Sequence, residues 1–421
     1  MKLVTFLSAV SVASLVVAVA SKAPLVNRHV PAIVPDSYVV VMKSGIDQNV
    51  IEQHYDLVRG TAAAAAAANG GRRGFVRRFQ VLDFNAYHFE CDNETIDTIR
   101  NHDLVDYVAF DGQVTTQAPF SRQSAGGGIL PTSGVAASSW GLSRISHRLR
   151  GATSYVDASI PLNTEGGTLP QTRAYIVDTG IDIAHAEFGG RATWGATMDV
   201  DENGHGTHVA GTIGGNTVGV DNSTLLIAVK VFGGPGATGT MTDVMDGIQW
   251  AVNDAQNART INRSVINMSL GGSQSQPLDD LVNSAHNAGM TVVVAAGNDG
   301  ADACGTSPAA ATGAITVAAI DETDTRAGFS NYGSCIGIFA PGTNINSTWG
   351  KEGDGPYLTL SGTSMASPHV AGLATYLMGR NSLQSPDLVW ATMSHIGTVN
   401  MVDDAKNSPN LIAFNGNSLE P

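Results

Sequence analysis

Beyond Trp140 the chain is punctuated by short, continuous apolar runs: AYIVDTG, LLIAVKVF, VINMSLG, TVVVAAGN and AITVAAI. Unbroken apolarity, rather than alternation, is the pattern of parallel strands covered on both faces. Between the runs, hydrophobic positions recur at helical spacing. Val244, Met245, Ile248, Ala251, Val252 and Ala255 share one face of a helix predicted to start at Thr242, and DLVNSAHNAG reads as another, stopped by Gly289. Strand alternating with helix predicts an α/β fold, a doubly wound parallel sheet with helices on both faces. Ligands bind beyond the carboxyl ends of the strands in such sheets.

The pattern upstream is different. Over residues 36–114, SYVVVMK, NAYHFEC and VDYVAF read as strands and ETIDTIRNHD as an amphipathic helix, a small α+β unit. An insertion between them holds the seven alanines Ala62–Ala68 and then GRRGFVRR, Gly71–Arg78. A solvated loop is expected there in preference to a nucleic-acid patch or a processing site. Residues 115–139, with Gly126-Gly127-Gly128, have linker composition and are where proteolytic processing is expected. At the start, Lys2 precedes the apolar stretch Leu3–Val19, which ends in Ala18-Val19-Ala20. That order predicts a cleaved signal peptide over residues 1–20, followed by an N-terminal segment 21–35, and a secreted, extracellular product with no membrane span.

Composition narrows the class. With 43% hydrophobic and 14% charged residues, the 421-residue chain is not a disordered acidic protein. Its net charge is −14, and residues 133–421 carry 12 basic against 25 acidic side chains. Such a surface repels phosphate backbones, so nucleic acid is not an expected partner. Three cysteines cannot staple a chain of this length, but the secretory route permits a disulfide. Cys304 and Cys335 flank the AITVAAI run and are expected to pair, with Cys91 left out; two buried thiols are the alternative. Sequons stand at Asn93, Asn222, Asn262, Asn267 and Asn346, of which Asn267 falls inside an apolar strand.

Three polar clusters carry candidate chemistry: Asp178 directly after AYIV, His205 in NGHGTHVAGT, and Ser364 in SGTSMASPHVAG. Pro368 is tolerated in the first turn of a helix and not in its interior, so Ser364 is predicted at or just before a helix start. Amides there point out of the helix towards any developing negative charge. Serine is a weak nucleophile until a histidine takes its proton, and a carboxylate fixes and stabilises that imidazole. Asn298, ending TVVVAAGN, can supply an amide to the oxyanion. Taken singly, Asp178 reads as an ordinary strand-end aspartate, Asn298 as a helix cap, and His205 with His208 as a metal pair lacking any third ligand. Their joint occurrence favours a nucleophilic triad.

The order Asp, His, Ser within VDTG, GHGTHVAGT and GTSMASPHVAG resembles the subtilisin-like serine proteases, and WGLSRISHR with SNYGSCIGIFAPG resembles their proteinase K-like branch. The resemblance spans 140–400 and implies a peptidase domain over 140–421, while 36–114 resembles the inhibitory propeptide of such enzymes. It assigns Asp178 as orienting carboxylate, His205 as general base, Ser364 as nucleophile and Asn298 as oxyanion donor, with His208 structural. It places Ser269, Leu270 and Gly271 on one edge of the substrate cleft, and Thr238 with Gly239 on the other. A peptide would enter between them as an added strand. Pocket walls of Ala295, Ala296, Gly297 and Ala303 imply cleavage after apolar or aromatic residues. His369, inside the helix after Ser364, is expected to be packed. Also implied are protein and peptide substrates, the propeptide as intramolecular inhibitor, a monomer, and no cofactor for catalysis. A structural calcium site is left open: Gly337 stands where this branch has a ligand aspartate, and no metal ligands are assigned. The alternative is a non-catalytic secreted binding or inhibitor protein on the same fold. An exopeptidase or a peptide ligase on this scaffold is a further reading.

Overall fold

A computed structural model describes residues 22–27, 32–69, 74–116, 122–123, 139–156, 171–196, 200–350 and 355–418. The expected signal peptide and most of the linker lie outside them.

The described residues include a nine-stranded sheet whose main run is Ala192–Trp194, Leu225–Lys230, Arg173–Asp178, Ser264–Met268, Thr291–Ala295, Ala314–Ile320 and Ile338–Pro341, all parallel. Successive side chains go to opposite layers. Ala174 and Ile176 face the cluster built on Val209, Ile213, Met365 and Val370, while Tyr175 and Val177 face Val244, Met245, Ile248 and Leu281. Both faces are dry, which is why the strands read as unbroken apolar runs. The sheet is doubly wound as the pattern predicts. From Arg173–Asp178 the chain builds one side first, the edge strand Ala192–Trp194 and then the neighbour Leu225–Lys230, before it returns to the other neighbour, Ser264–Met268. That reversal is the switch point at which such sheets bind ligands.

Helix Met241–Asn257 begins one residue earlier than expected because Thr240 caps it, with Asp243 closing a capping box. Helix Gln276–Asn287 starts on the Ser275 cap, and Gly289 beyond it takes φ +100°. Cys304 and Cys335 form a disulfide with Cα atoms 5.4 Å apart, and buried Cys91 stays outside it.

The N-terminal unit is an antiparallel sheet ordered Val105–Thr116, Ile33–Met42, Phe84–Glu90, Gly74–Val81. One face holds Tyr38, Val40, Tyr87 and Phe89 against Ile51 and Tyr55 of helix Gln48–Asn69 and Ile96 of helix Asn93–Ile99. The other face, with Val39, Val41, Phe79 and Tyr107, shares a core with helices Met241–Asn257 and Gln276–Asn287. Asp111 accepts from the Thr242 amide at 3.3 Å and hydroxyl at 2.9 Å, Tyr107 donates to Asp280 at 2.5 Å, and Arg77 reaches Asp243 at 3.2 Å. The two units are therefore docked through an apolar layer rimmed by polar contacts.

Several details depart from the sequence reading. The alanine tract is the end of helix Gln48–Asn69, and Gly74–Val81 is a paired strand; neither belongs to a solvated loop. Alanine is the strongest helix former, so a run of it extends a helix already nucleated upstream. Arg78 pairs with Glu52 at 2.6 Å, and Gly71–Arg73 lie outside the described residues. The expected helix over 94–103 stops at Ile99, where Arg100 turns to the Ala23 carbonyl at 2.7 Å. The final strand, expected over Val105–Phe110, runs past the unit's expected boundary at 114 to Thr116, and within the expected linker Arg122–Gln123 pairs with Leu360 and Thr359.

Candidate active site

The candidate residues converge on the carboxyl ends of the switch-point strands. Asp178 ends one strand, Ser269 follows the next, and Asn298 lies just past a third. Above them begin helix His205–Gly214, with His205 first, and helix Thr363–Asn381, with Ser364 second.

His205 Nδ1 lies 2.8 Å and 3.0 Å from the two oxygens of Asp178, which is itself fully buried and accepts from the Thr179 amide at 2.7 Å. The close approach depends on Gly206, where a Cβ would lie 2.1 Å from the Gly180 carbonyl. Burial disfavours the charged imidazole. The adjacent Asp178, by charge and hydrogen bond, and then Asp201 outweigh it and hold the His205 pKa above its usual value. Asp201 is buried behind the helix start, accepting from Thr179 Oγ1 (2.8 Å), the Gly204 amide (2.8 Å) and both the amide (2.9 Å) and hydroxyl (2.6 Å) of Thr207. His205 Nε2 finds no hydrogen-bond partner among the described residues.

Ser364 sits within the first helical turn, as predicted, but the proline argument needs correcting. Pro368 is the sixth helical residue, past the first turn. Its missing N–H deprives the Ser364 carbonyl of the usual helical donor, and Ser269 Oγ supplies one at 3.0 Å. Ser364 Oγ in turn donates to the Ser269 carbonyl at 3.0 Å. Asn298 Oδ1 accepts from both the amide and the hydroxyl of Thr363, each at 2.9 Å. That double bond fixes the amide plane, leaving Nδ2 buried with no partner among the described residues.

Thr238–Thr240 and Leu270–Ser273, the expected cleft edges, both pair with the N-terminal unit's last strand, which lies between them. Thr115 is opposite both Thr238 and Gly271, Val114 opposite Gly239 and Gly272, and Thr116 opposite Leu270, all antiparallel. Ala295 and Gly297 flank the Asn298 loop. Ala296 and Ala303, expected in the pocket wall, are fully buried in a cluster with Ala318, Ile320 and Phe339.

Other histidines are structural. Burial, then neighbouring His205, pushes the His208 pKa down to about 3, and its Nε2 bonds the carbonyls of Ile345 (3.2 Å) and Leu358 (3.0 Å). Burial lowers His369 to about 4, and its Nδ1 bonds the Met365 carbonyl at 2.8 Å. Among the described residues no three His, Cys, Asp or Glu side chains gather as metal ligands. Gly337 brings no side-chain ligand of its own, and a Cβ there would come within 3.3 Å of Trp390. Thr179, Asp201 and Thr363, which sequence reading passed over, organise the site. Thr363 directly precedes the nucleophile candidate and Asp201 lies four residues before His205, but an acceptor's partners are not visible in spacing alone.

Comparison with known proteins matches both parts of the chain. Residues 175–410 match the Subtilase family and residues 37–117 match Peptidase inhibitor I9. Fold and matches together define a serine endopeptidase that carries its own inhibitor-type domain. The chain is 44% identical over 392 residues to Subtilisin-like protease 2 of Pseudogymnoascus destructans, covering 91% of this chain and 90% of that protein. It is 41% identical over 397 residues to Alkaline protease 1 of Aspergillus clavatus, covering 91% and 92%. A crystal structure of a cold adapted subtilisin-like serine proteinase aligns with TM-score 0.60 and 39% identity over 66% of this chain and 99% of its own. This chain belongs to the subtilase family. Among the described residues no helix is long and apolar enough to cross a membrane.

Proposed function

We infer that the protein is a secreted endopeptidase that cuts peptide bonds through Asp178, His205 and Ser364 by way of an acyl-enzyme, and is made as a self-processing zymogen. The observation that carries this reading is the antiparallel register of Val114–Thr116 between Thr238–Thr240 and Leu270–Ser273, beside the Ser364 hydroxyl. A chain segment held there is bound as substrate would be, by sequence-tolerant main-chain pairing.

In the reaction, Ser364 Oγ turns from the Ser269 carbonyl to His205 Nε2 and loses its proton to it while attacking the substrate carbonyl. Asp178 keeps the Nδ1–H tautomer in place and stabilises the imidazolium. Negative charge on the tetrahedral oxygen is met by Asn298 Nδ2 and the Ser364 amide in the first helical turn. His205 then hands its proton to the leaving amine, and water, activated by the same imidazole, releases the acyl group from Ser364. Small walls at Ala295 and Gly297 favour apolar or aromatic residues before the cut.

The first test is where the precursor is cut. Thr115 pairs with Gly271 and Thr116 with Leu270, so a substrate residue one step further along that register would answer to Ser269, whose carbonyl holds the Ser364 hydroxyl. The first bond broken is expected to be Gln117–Ala118. Gln117 is neither apolar nor aromatic, so pairing rather than pocket fit selects this bond. N-terminal sequencing of the first product should begin at Ala118; a first product that begins at any other residue refutes the register argument.

A second test is the pH profile. Only neutral His205 accepts the proton, and its neighbours hold its pKa above the ordinary value. Activity should therefore fall as pH drops through that raised pKa, tenfold per unit below it, leaving a neutral-to-alkaline optimum. An optimum near pH 4 would exclude this base.

A further inference from the structure

Asn331 is fully buried and belongs to none of the cleft edges or charge-bearing groups above. Its side chain nonetheless makes three hydrogen bonds to one loop. Oδ1 accepts from the amides of Asp299 and Ala301, both at 3.0 Å, and Nδ2 donates to the Ala296 carbonyl at 2.9 Å. Its own amide donates to the Gly297 carbonyl at 3.0 Å. These four bonds flank residue 298 on both sides and none reaches it. Gly297, at φ +104°, leaves room for this: a Cβ there would lie 2.3 Å from Asn331 Nδ2. The same two segments are stitched again by Gly300 N to Phe329 O (2.7 Å) and Tyr332 N to Ala301 O (3.0 Å). Thr363 holds the Asn298 side chain, and Asn331 holds the backbone on either side of it.

We propose that Asn331 is a positioning residue for the oxyanion donor, clamping the backbone on either side of Asn298 so that Nδ2 meets the transition-state oxygen. The proposal rests on the role assigned to Asn298 above. Donor geometry must hold to about 0.5 Å, and an error of about 1 Å in a positioned group costs on the order of a hundredfold in rate. A buried asparagine that only stabilised the fold would lower stability and leave turnover per folded molecule intact.

The test is a double-mutant cycle on full-length precursor, reading kcat and KM of the processed enzyme, the rate of self-processing, and the melting temperature. Asn331→Ala is expected to lower kcat roughly 10- to 100-fold, with KM within about twofold. In the Asn298→Ala background the same change should cost less than about threefold, because the displaced donor is already gone. Asn331→Asp keeps the oxygen that receives Asp299 and Ala301 but sets a second oxygen against the Ala296 carbonyl. It should give an intermediate loss, and it carries the test if the alanine variant does not fold. Asn410 clamps a remote loop, bonding the Val402 amide and carbonyl at 2.8 Å each, and Asn410→Ala should lower the melting temperature with kcat unchanged. Equal kcat losses from the Asn331 change with and without Asn298 would overturn the clamp, as would a loss confined to KM. Unchanged kcat in Asn298→Ala alone would instead remove the oxyanion reading on which the clamp stands.

Discussion

Ser364→Ala is expected to yield a folded, secreted precursor that stays uncut and hydrolyses casein about 10⁶-fold more slowly than the processed enzyme, the magnitude of triad deletion in a subtilisin. The change removes a hydroxyl whose bond to the Ser269 carbonyl is 3.0 Å long, a stability cost of about 1 kcal/mol. The helix carrying it keeps its other anchors, Thr363 on Asn298 and the Ser364 carbonyl on Ser269 Oγ. Docking of the N-terminal unit should persist too, since its apolar layer and its Asp111, Tyr107 and Arg77 contacts are untouched. Intact mass after expression in a protease-deficient host is the measurement. A precursor that matures at the wild-type rate there would mean that another nucleophile makes the cut.

Much of this organisation was legible because sequence and geometry share a cause. Parallel strands with both faces buried must be apolar throughout, so AYIV, LLIAV and TVVVA announce themselves. The site residues were legible because each sits at a strand end or helix start, next to glycines that permit close approach. The opposite held where a residue's meaning lies in its partner. The alanine tract has no polar face to show helical period, so its continuation of helix Gln48–Asn69 was hidden. Pro368 was placed one turn too early because the donor that satisfies the vacated carbonyl, Ser269 Oγ, lies 95 residues away. Asn331 looked like part of a family block, and its four bonds across 30 or more residues of chain have no periodicity to betray them. The strand between the two edges reads as ending at Phe110, six residues short of Thr116, for a related reason. Gln113 to Thr116 are polar on one side because their pairing partners are backbone edges and not a core.

Asn298→Ala should separate binding from chemistry. The structure gives this side chain two jobs on two atoms. Oδ1 receives the Thr363 amide and hydroxyl, while Nδ2 is held buried without a partner among the described residues. A donor that waits unpaired in the resting enzyme is costly to maintain, by roughly 1–3 kcal/mol. It is explained if the missing acceptor exists only as the carbonyl oxygen becomes an oxyanion. An interaction formed in the transition state and absent from the ground state lowers kcat when lost and leaves KM alone. The expected result is a kcat lower by about 10²–10³, with KM within about threefold. That magnitude comes from removing an oxyanion donor in a subtilisin, not from this geometry. Alanine also strips Thr363 of its acceptor at the helix start, so part of the loss could come from a displaced Ser364. Asn298→Asp resolves this, because it retains an oxygen for Thr363 while abolishing the N–H and adding a repulsive charge. If Nδ2 is the working atom, the aspartate variant is at least as slow as the alanine variant; if anchoring Thr363 is what counts, it recovers most of wild-type kcat.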